Sequence, residues 1–283
     1  MAQIILAHAK INLFLKILGD RPDKFTEIVS LIQTISLADV IRVEKSDSGL
    51  SLTSNNPTLP LDSSNTVAKA WAILCAASGR ELGVKIDIGK NIPIESGLGG
   101  GSSDAAASMI GIAREWGLKI DREQFFALGA AVGSDVPFFF GSGSSLIEGR
   151  GEKVTDLEIP TDYAILLIKP NFGMSTKLAY EKAKKGLTEG DKKISIHHLH
   201  SSASILDFAD KGNALEVPFF ELHPGAKEIK KRLIRSGAGY AALSGSGSCF
   251  FGIFKDIKAA ESAKEKFREF WCEVALPAKN SFL

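Results

Sequence analysis

Apolar residues along the chain fall into short runs of two kinds, one with strand periodicity and one with helical periodicity. Ile4 to Leu18 is aliphatic almost throughout and predicts a strand. Lys10 and Asn12 interrupt it two residues apart, so period-2 geometry puts both on one face, with Ile11 and Leu13 on the other. A solvated edge strand and a polar site within an apolar strand both fit that pattern. Gly19 to Lys24 predicts a turn. Phe25 to Ile35 suits helix or strand, and Asp39 to Val43 a strand. Gly49 to Pro60 is polar and predicts a loop. Asp62 to Gly79 is helical in period, with a cap expected at Asp62 or Ser63, and Val84 to Ile88 alternates as a strand.

Downstream, Ala105 to Arg114 and Asp121 to Val132 predict helices. Gly133 to Val136 is a break before the short apolar element Pro137 to Phe140, and Gly149-Arg150-Gly151-Glu152 predicts a turn between two strands. A boundary is expected near Glu158 to Thr161, dividing the chain into segments 1–158 and 159–283. Beyond it, Tyr163 to Lys169 predicts a strand, Thr176 to Lys185 a helix and Gly186 to His200 a polar loop. Helices are expected over Ala203 to Phe208, Gly225 to Ser236 and Ile257 to Phe270, and strands over Tyr240 to Ser244 and Cys249 to Phe254. No internal repeat is evident. Strands and helices mix without strict alternation, which predicts an α+β fold rather than a doubly wound sheet.

One segment stands apart from these periods: Pro93-Ile94-Glu95-Ser96-Gly97-Leu98-Gly99-Gly100-Gly101-Ser102-Ser103-Asp104. Glycines at 97, 99, 100 and 101 free the backbone for turns closed to other residues and let several N–H groups converge on one anion. Ser102, Ser103 and Asp104 are good N-cap residues for the helix that follows. A helix N-terminus adds unpaired donors and a partial positive charge, so a polyphosphate suits the place. The spacing is neither a Walker P-loop, which needs Lys and Ser/Thr after the last glycine, nor a dinucleotide fingerprint.

Composition narrows the class. The 283 residues are 45% hydrophobic and 24% charged, ample for one large domain or two moderate ones. With 34 basic and 33 acidic residues the net charge is +1, so no global field attracts nucleic acid or anionic membrane. Cys75, Cys249 and Cys272 are few and scattered, as expected for reduced thiols. The first residues lack a basic start and a long apolar run, and no apolar stretch approaches membrane-spanning length, so a soluble cytoplasmic protein without a leader is expected.

Three features could converge: the glycine loop, Lys10 with Asn12, and Asp135 in Ser134-Asp135-Val136-Pro137. Phosphoryl transfer to an alcohol needs a phosphate cradle, a cation and a carboxylate near the hydroxyl. Asp135 could instead cap the Pro137 turn. Ser244-Gly245-Ser246-Gly247-Ser248 is either a hairpin loop or a backbone surface closing over phosphate. His197, His198 and His200 lack companion carboxylates or cysteines and fit a surface loop better than a metal site. Lys182-Ala183-Lys184-Lys185 fits a solvated helix face.

Together these motifs resemble the GHMP kinase superfamily: Ala9-Lys10-Ile11-Asn12-Leu13 its first motif, Pro93 to Ser103 its ATP loop, and Ala241 to Ser248 its third motif. Arg21, Asp23, Gln33, Asn65 and Gly133 to Phe138 extend the resemblance to nearly the whole chain. The Lys10/Asn12 and Asp135 segments together narrow it to kinases that phosphorylate the 2-hydroxyl of a cytidylated methylerythritol in the non-mevalonate isoprenoid pathway. The resemblance implies a two-domain α+β fold, the first domain like the ribosomal S5 domain 2, with the active site in the cleft between the two. It implies ATP and Mg2+, with metal ligands unassigned and oligomeric state open. Lys10 and Asp135 fall on the family's catalytic pair, and Asn12 would position substrate. Pro93 to Ser103 would hold the phosphates, with Asn65 and Lys90 near the nucleoside. Where the family commonly has Gly-Tyr-His against the cytosine, this chain has Lys24-Phe25-Thr26, and Ile32 replaces a nearby aromatic. Phe25 keeps a stacking face, whereas Thr26 is shorter than histidine; Thr176 and Tyr180 would flank the base from the second domain. Another GHMP alcohol kinase with an altered acceptor pocket, and a non-catalytic nucleotide-binding paralogue, are the rival readings.

Overall fold

The structure, a computed structural model, describes residues 2–23, 25–185, 205–206 and 212–279. Two long strands, β1 (Gln3–Asp20) and β2 (Thr26–Lys45), pair antiparallel along their whole length, from Gln3 opposite Val43 to Asp20 opposite Thr26. Bulges near His8, Asn12 and Ile17 bend the pair, as an extra residue on one strand does. The far edge of β2 is shared. Its C-terminal part pairs with β4 (Val84–Gly89), which carries β3 (Leu50–Ser54) in parallel. Its N-terminal part pairs with β5 (Ser144–Gly149), followed by β6 (Lys153–Asp156).

Helices α1 (Thr66–Ser78) and α2 (Gly100–Trp116) cover one face of this sheet, with α3 (Arg122–Val132) packed beside them. Val67 and Leu74 of α1 and Met109 and Ile110 of α2 meet Ile41, Val43, Ile86 and Ile88 in the core. The alanines at 105–107 are fully buried, which lets α2 lie close to the strands.

A second, antiparallel sheet has the order β10-β7-β9-β8, from β7 (Ala164–Lys169), β8 (Tyr240–Leu243), β9 (Phe250–Phe254) and β10 (Trp271–Ala275). Helices α5 (Glu216–Leu222), α6 (Ala226–Arg235) and α7 (Ile257–Lys264) cover its outer face through Phe219, Ile229, Leu233 and Ala260. Its other face, Ile165, Leu167, Phe251 and Ile253, packs on Ile11, Leu13, Phe14 and Leu31 of the first sheet. Helix α4 (Thr176–Lys185) lies beside β1.

The sequence patterns locate most elements, with instructive differences. The two segments expected at Phe25 to Ile35 and Asp39 to Val43 are one strand, because the interruption between them, at Ser36 and Leu37, is a bulge and not a turn. The loop expected at Gly49 to Pro60 contains β3, whose Leu50 and Leu52 pack on the helical layer while Ser51 and Thr53 are exposed. Helix α1 is capped by Asn65, not Asp62 or Ser63: Asp62 folds its own turn onto Ser64, and Asn65 accepts from the Val67 N–H. Helix α2 starts at Gly100 behind Gly99 in the left-handed region, so Ser102, Ser103 and Asp104 lie inside its first turns and are not caps. The final helix ends early, and Trp271–Ala275 forms an edge strand. The His197/His198/His200 cluster lies outside the described residues, as does most of Ala203 to Phe208. Among the described residues no helix is long and apolar enough to cross a membrane.

Candidate active site

Lys10 and Asn12 share one face of β1, and both are buried, at 3% exposure each. β1 lies at the margin of its sheet, but this face is covered by two glycine loops rather than by water. Lys10 Nζ donates to Asn12 Oδ1 at 2.6 Å, Asn12 Nδ2 to Ser30 Oγ at 2.8 Å, and Ser30 to the Phe14 carbonyl at 2.6 Å. This relay across β1 and β2 fixes the lysine stem and leaves its ammonium facing the cleft.

The first glycine loop is tied to β1 by the Lys10 N–H donating to the Leu98 carbonyl at 2.9 Å. A Cβ at Gly99 would lie 2.9 Å from Lys10 Cγ and 3.0 Å from the Phe139 ring, and φ there is +73°. Gly97, at φ +76°, lies so near the second loop that a Cβ would fall 2.1 Å from the Ser244 carbonyl. Ser244 Oγ donates to the Gly97 carbonyl at 3.0 Å, and the Cys249 N–H to the Ser96 carbonyl at 2.9 Å. Only glycine permits this approach of two backbones. The second cluster is therefore part of the site: Gly245 stands against Lys10 Nζ and Asn12 Oδ1.

Asp135 comes from the break after α3. The following turn, Pro137–Phe140, buries three phenylalanines in the core and anchors the aspartate at the cleft wall. The Asp135 carboxylate is 44% exposed and lies 3.6 Å from Lys10 Nζ. No side chain caps the Pro137 turn, so its capping role is not what the structure shows. On the opposite wall, burial and then the Asp135 charge push the Tyr180 phenol above its ordinary pKa. Thr176 Oγ1 pairs with Ser246 Oγ at 2.9 Å, joining the start of α4 to the second glycine loop.

These groups line one cleft of about 1160 Å3. Pro93, Ile94, Glu95, Ser96, Gly97, Gly99, Gly100, Gly101 and Ser102 line it, with Lys10, Asn12, Asp135, Phe25, Thr26, Lys90, Thr176 and Tyr180. Three other expected contacts do not. Leu98 is fully buried in the core; Ser103 is buried one turn into α2, its hydroxyl without a partner among the described residues; and the Asn65 side chain caps α1 and donates to the Pro60 carbonyl.

Lys90 reaches the wall with its ammonium occupied. It bonds Asp104 Oδ2 at 2.8 Å and also pairs with Asp39, whose other oxygen accepts the Asn91 and Ile92 N–H groups. Burial works against the Lys90 charge, yet the two carboxylates hold its pKa above the ordinary lysine value. Burial pushes the Asp104 carboxyl up to about 8 against the pull of Lys90, and the Asp39 charge adds to the rise. Two carboxylates sharing one buried cation favour a proton on one of them. Sequence reasoning reads Asp104 only as a cap and Asp39 only as the start of a strand; the one signal for the buried role of Asp39 is a carboxylate set in an aliphatic strand.

A backbone anion cradle, a lysine and a facing carboxylate in one cleft can hold a polyphosphate and orient a hydroxyl toward it. Known proteins resemble this chain over most of its length. Residues 65–143 match the family described as GHMP kinases N terminal domain, and residues 185–271 match GHMP kinases C terminal. A 4-diphosphocytidyl-2-C-methyl-D-erythritol kinase of Thermodesulfovibrio yellowstonii is 37% identical over 276 residues, covering 95% of each chain. One of Clostridium tetani is 36% identical over 272 residues, covering 95% of this chain and 97% of that protein. The crystal structure of a 4-(cytidine 5'-diphospho)-2C-methyl-D-erythritol kinase superposes with a TM-score of 0.81 at 30% identity, covering 98% of this chain and all of the other. Homoserine kinase from Cytophaga hutchinsonii, at 19% identity and a TM-score of 0.72, shares the fold.

Proposed function

The chain belongs to the GHMP kinase family, and from that membership and the site we propose an ATP-dependent kinase acting on the 2-hydroxyl of 4-diphosphocytidyl-2-C-methyl-D-erythritol, a precursor of isoprenoids. The observation that carries the catalytic part is the Lys10–Asp135 pair, 3.6 Å apart where the two glycine loops meet. Binding a nucleotide alone requires neither group.

The loop glycines and the N-terminus of α2 offer N–H donors to the ATP phosphates. The acceptor hydroxyl lies against Asp135. Its oxygen bonds to the γ-phosphorus, the bond from that phosphorus to the β–γ bridging oxygen breaks, and ADP leaves. The hydroxyl proton passes to Asp135. Lys10, fixed by Asn12, keeps Asp135 ionised and offsets negative charge gathering on the transferring group. The 1–158 segment supplies Lys10, Asp135 and the phosphate loop; the 159–283 segment supplies Thr176, Tyr180 and the second glycine loop.

Magnesium is part of this proposal. Among the described residues no three acidic, histidine or cysteine side chains gather into a metal cage. That fits an ion held through one or two carboxylates and the substrate phosphates. Glu95, a cleft carboxylate without an ion pair among the described residues, is the residue that would hold it, and the ion would neutralise phosphate charge.

The test is ATP consumption with magnesium and the cytidylated methylerythritol, beside the same polyol without its cytidine. Turnover of the cytidylated compound alone is the expected result. Turnover only of a non-cytidylated alcohol would overturn the assignment of substrate.

A further inference from the structure

Two turns far apart in sequence meet at the acceptor side of the cleft. The first joins β1 to β2 and carries Phe25, 46% exposed, with its N–H on Asp23 Oδ1 at 3.1 Å. The second, Gly149-Arg150-Gly151, joins β5 to β6. Both glycines have positive φ, +74° and +125°. A Cβ at Gly149 would lie 2.6 Å from the Glu152 carboxylate, and one at Gly151 would lie 2.7 Å from the Ser134 carbonyl, beside Asp135. The turn is thus set in one shape close to the reacting groups.

Arg21 locks the two turns together. It pairs with Asp23 and Glu27 on its own side and lies 3.7 Å from Glu152 on the other, while Glu152 also accepts the Arg150 N–H at 2.7 Å. The product is a plate: the Arg150 guanidinium lies over the Phe25 ring, 4.6 Å from its centroid. The only hydrogen bond of that guanidinium among the described residues is to the Ala130 carbonyl, at 3.3 Å. A guanidinium has five donors, so a parallel pair remains for a ligand.

We infer that Arg150, held over Phe25, is the residue that recognises the pyrimidine base of the acceptor. The inference rests on the cytidylated substrate proposed above. Nucleotide phosphates take the glycine-loop side of the cleft, so the acceptor's base must lie beyond Asp135, where Phe25 and Tyr180 are the aromatic rings lining the wall. Thr26 beside them has only a short hydroxyl. Cytosine presents two adjacent acceptors, O2 and N3, that match a two-pronged donor. Uracil presents an N–H at position 3, which meets the same prong donor to donor. A site built to donate discriminates strongly against a ligand that cannot accept. Arg150 therefore both binds the base and selects cytosine over uracil.

The experiment uses the full-length wild type, Arg150→Gln and Arg150→Lys, with the cytidylated acceptor and its uridylated analogue. Steady-state kinetics are paired with calorimetric binding of CDP and UDP. In the wild type CDP binds more tightly than UDP and the cytidylated acceptor is preferred. R150Q raises KM for the cytidylated acceptor about ten- to a hundredfold, the scale of one charge-assisted hydrogen bond. KM for ATP stays within twofold, which separates the effect from misfolding. R150K keeps the charge but loses the fork, so the preference for CDP over UDP shrinks toward unity. An R150Q enzyme with unchanged acceptor KM and unchanged base preference overturns the role of Arg150. A wild type that turns over ATP only with non-cytidylated alcohols, and binds neither CDP nor UDP, overturns the substrate assignment instead.

Discussion

At the scale of single residues, the site turns on a lysine that is buried and yet still lines the cleft. The Asn12–Ser30 relay spends two polar side chains on holding Lys10 toward Asp135. Replacing Lys10 with alanine, or Asp135 with asparagine, is expected to lower kcat by about a hundred- to ten-thousandfold. KM for ATP should move only a few-fold, because in the proposed complex the phosphates are held chiefly by backbone N–H groups. Steady-state kinetics check this, and a variant of either kind with near-normal kcat would remove that residue from the chemistry. Lys10 and Asn12 are legible in the sequence, since a charge and an amide two apart in an aliphatic strand break its pattern. Arg150 is not. Gly-Arg-Gly-Glu reads as an ordinary turn, and what its guanidinium meets depends on Phe25 arriving from a distant turn. The sequence likewise presents Leu98 and Asn65 beside site residues, but the period that aims their neighbours into the cleft turns Leu98 into the core, and Asn65 is drawn into capping α1.

At the scale of elements, the first glycine loop is held from beneath by Lys90, which joins β2 through Asp39 to α2 through Asp104. Asp39 also accepts the N–H groups of Asn91 and Ile92, so it pins the strand's exit into the loop as well. This cluster titrates in a useful range. The folded Asp104 carboxyl is pushed up to about 8, first by burial, whereas the unfolded chain has its ordinary value near 3.8. Below that lower value both states carry the proton. As pH rises from about 4 to about 8 the unfolded chain has released it and the folded chain retains it, so stability falls across that window. Asp104→Asn removes the titration. The stability of the wild type relative to this variant should be greatest near pH 5 and smallest near pH 9, read from denaturant midpoints. A constant difference across that range would place the ionised form of Asp104 in the fold. The same cluster explains a limit of the sequence pattern at α2. Ser102, Ser103 and Asp104 suit an N-cap by residue type, but Gly99 starts the helix and Asp104 is drawn inward by Lys90.

At the scale of the whole molecule, the cleft exists only while two sheets keep their relation. Lys10 and Asp135 come with the first, Gly245 and Ser246 with the second, and the inner faces of both share one core. The strands of the first sheet end at Asp156 and those of the second begin at Ala164. Composition does not reveal the return crossing. After β10 the chain leaves the second sheet and lies along β2 of the first. The Ser36 N–H donates to the Leu276 carbonyl, the Leu276 N–H to Ser36 Oγ, and the Ala278 N–H to the Thr34 carbonyl, at 2.8, 3.0 and 2.9 Å. The buried Gln33 amide donates to the Ala278 carbonyl at 3.1 Å. A strap with so few apolar contacts carries no period that could announce it. Deleting residues 276–283 removes these four hydrogen bonds and is expected to cost about 2–6 kcal/mol, from net contributions of about 0.5–1.5 kcal/mol each. The urea midpoint should fall with little change in m-value, because the core that unfolds is the same. A lower midpoint with ATP affinity kept would show that the shared core alone preserves the cleft. Loss of ATP affinity well below the unfolding midpoint would mean that the strap also sets the spacing between the two glycine loops, whose closest approach, at Gly97 and Ser244, leaves no room for a Cβ.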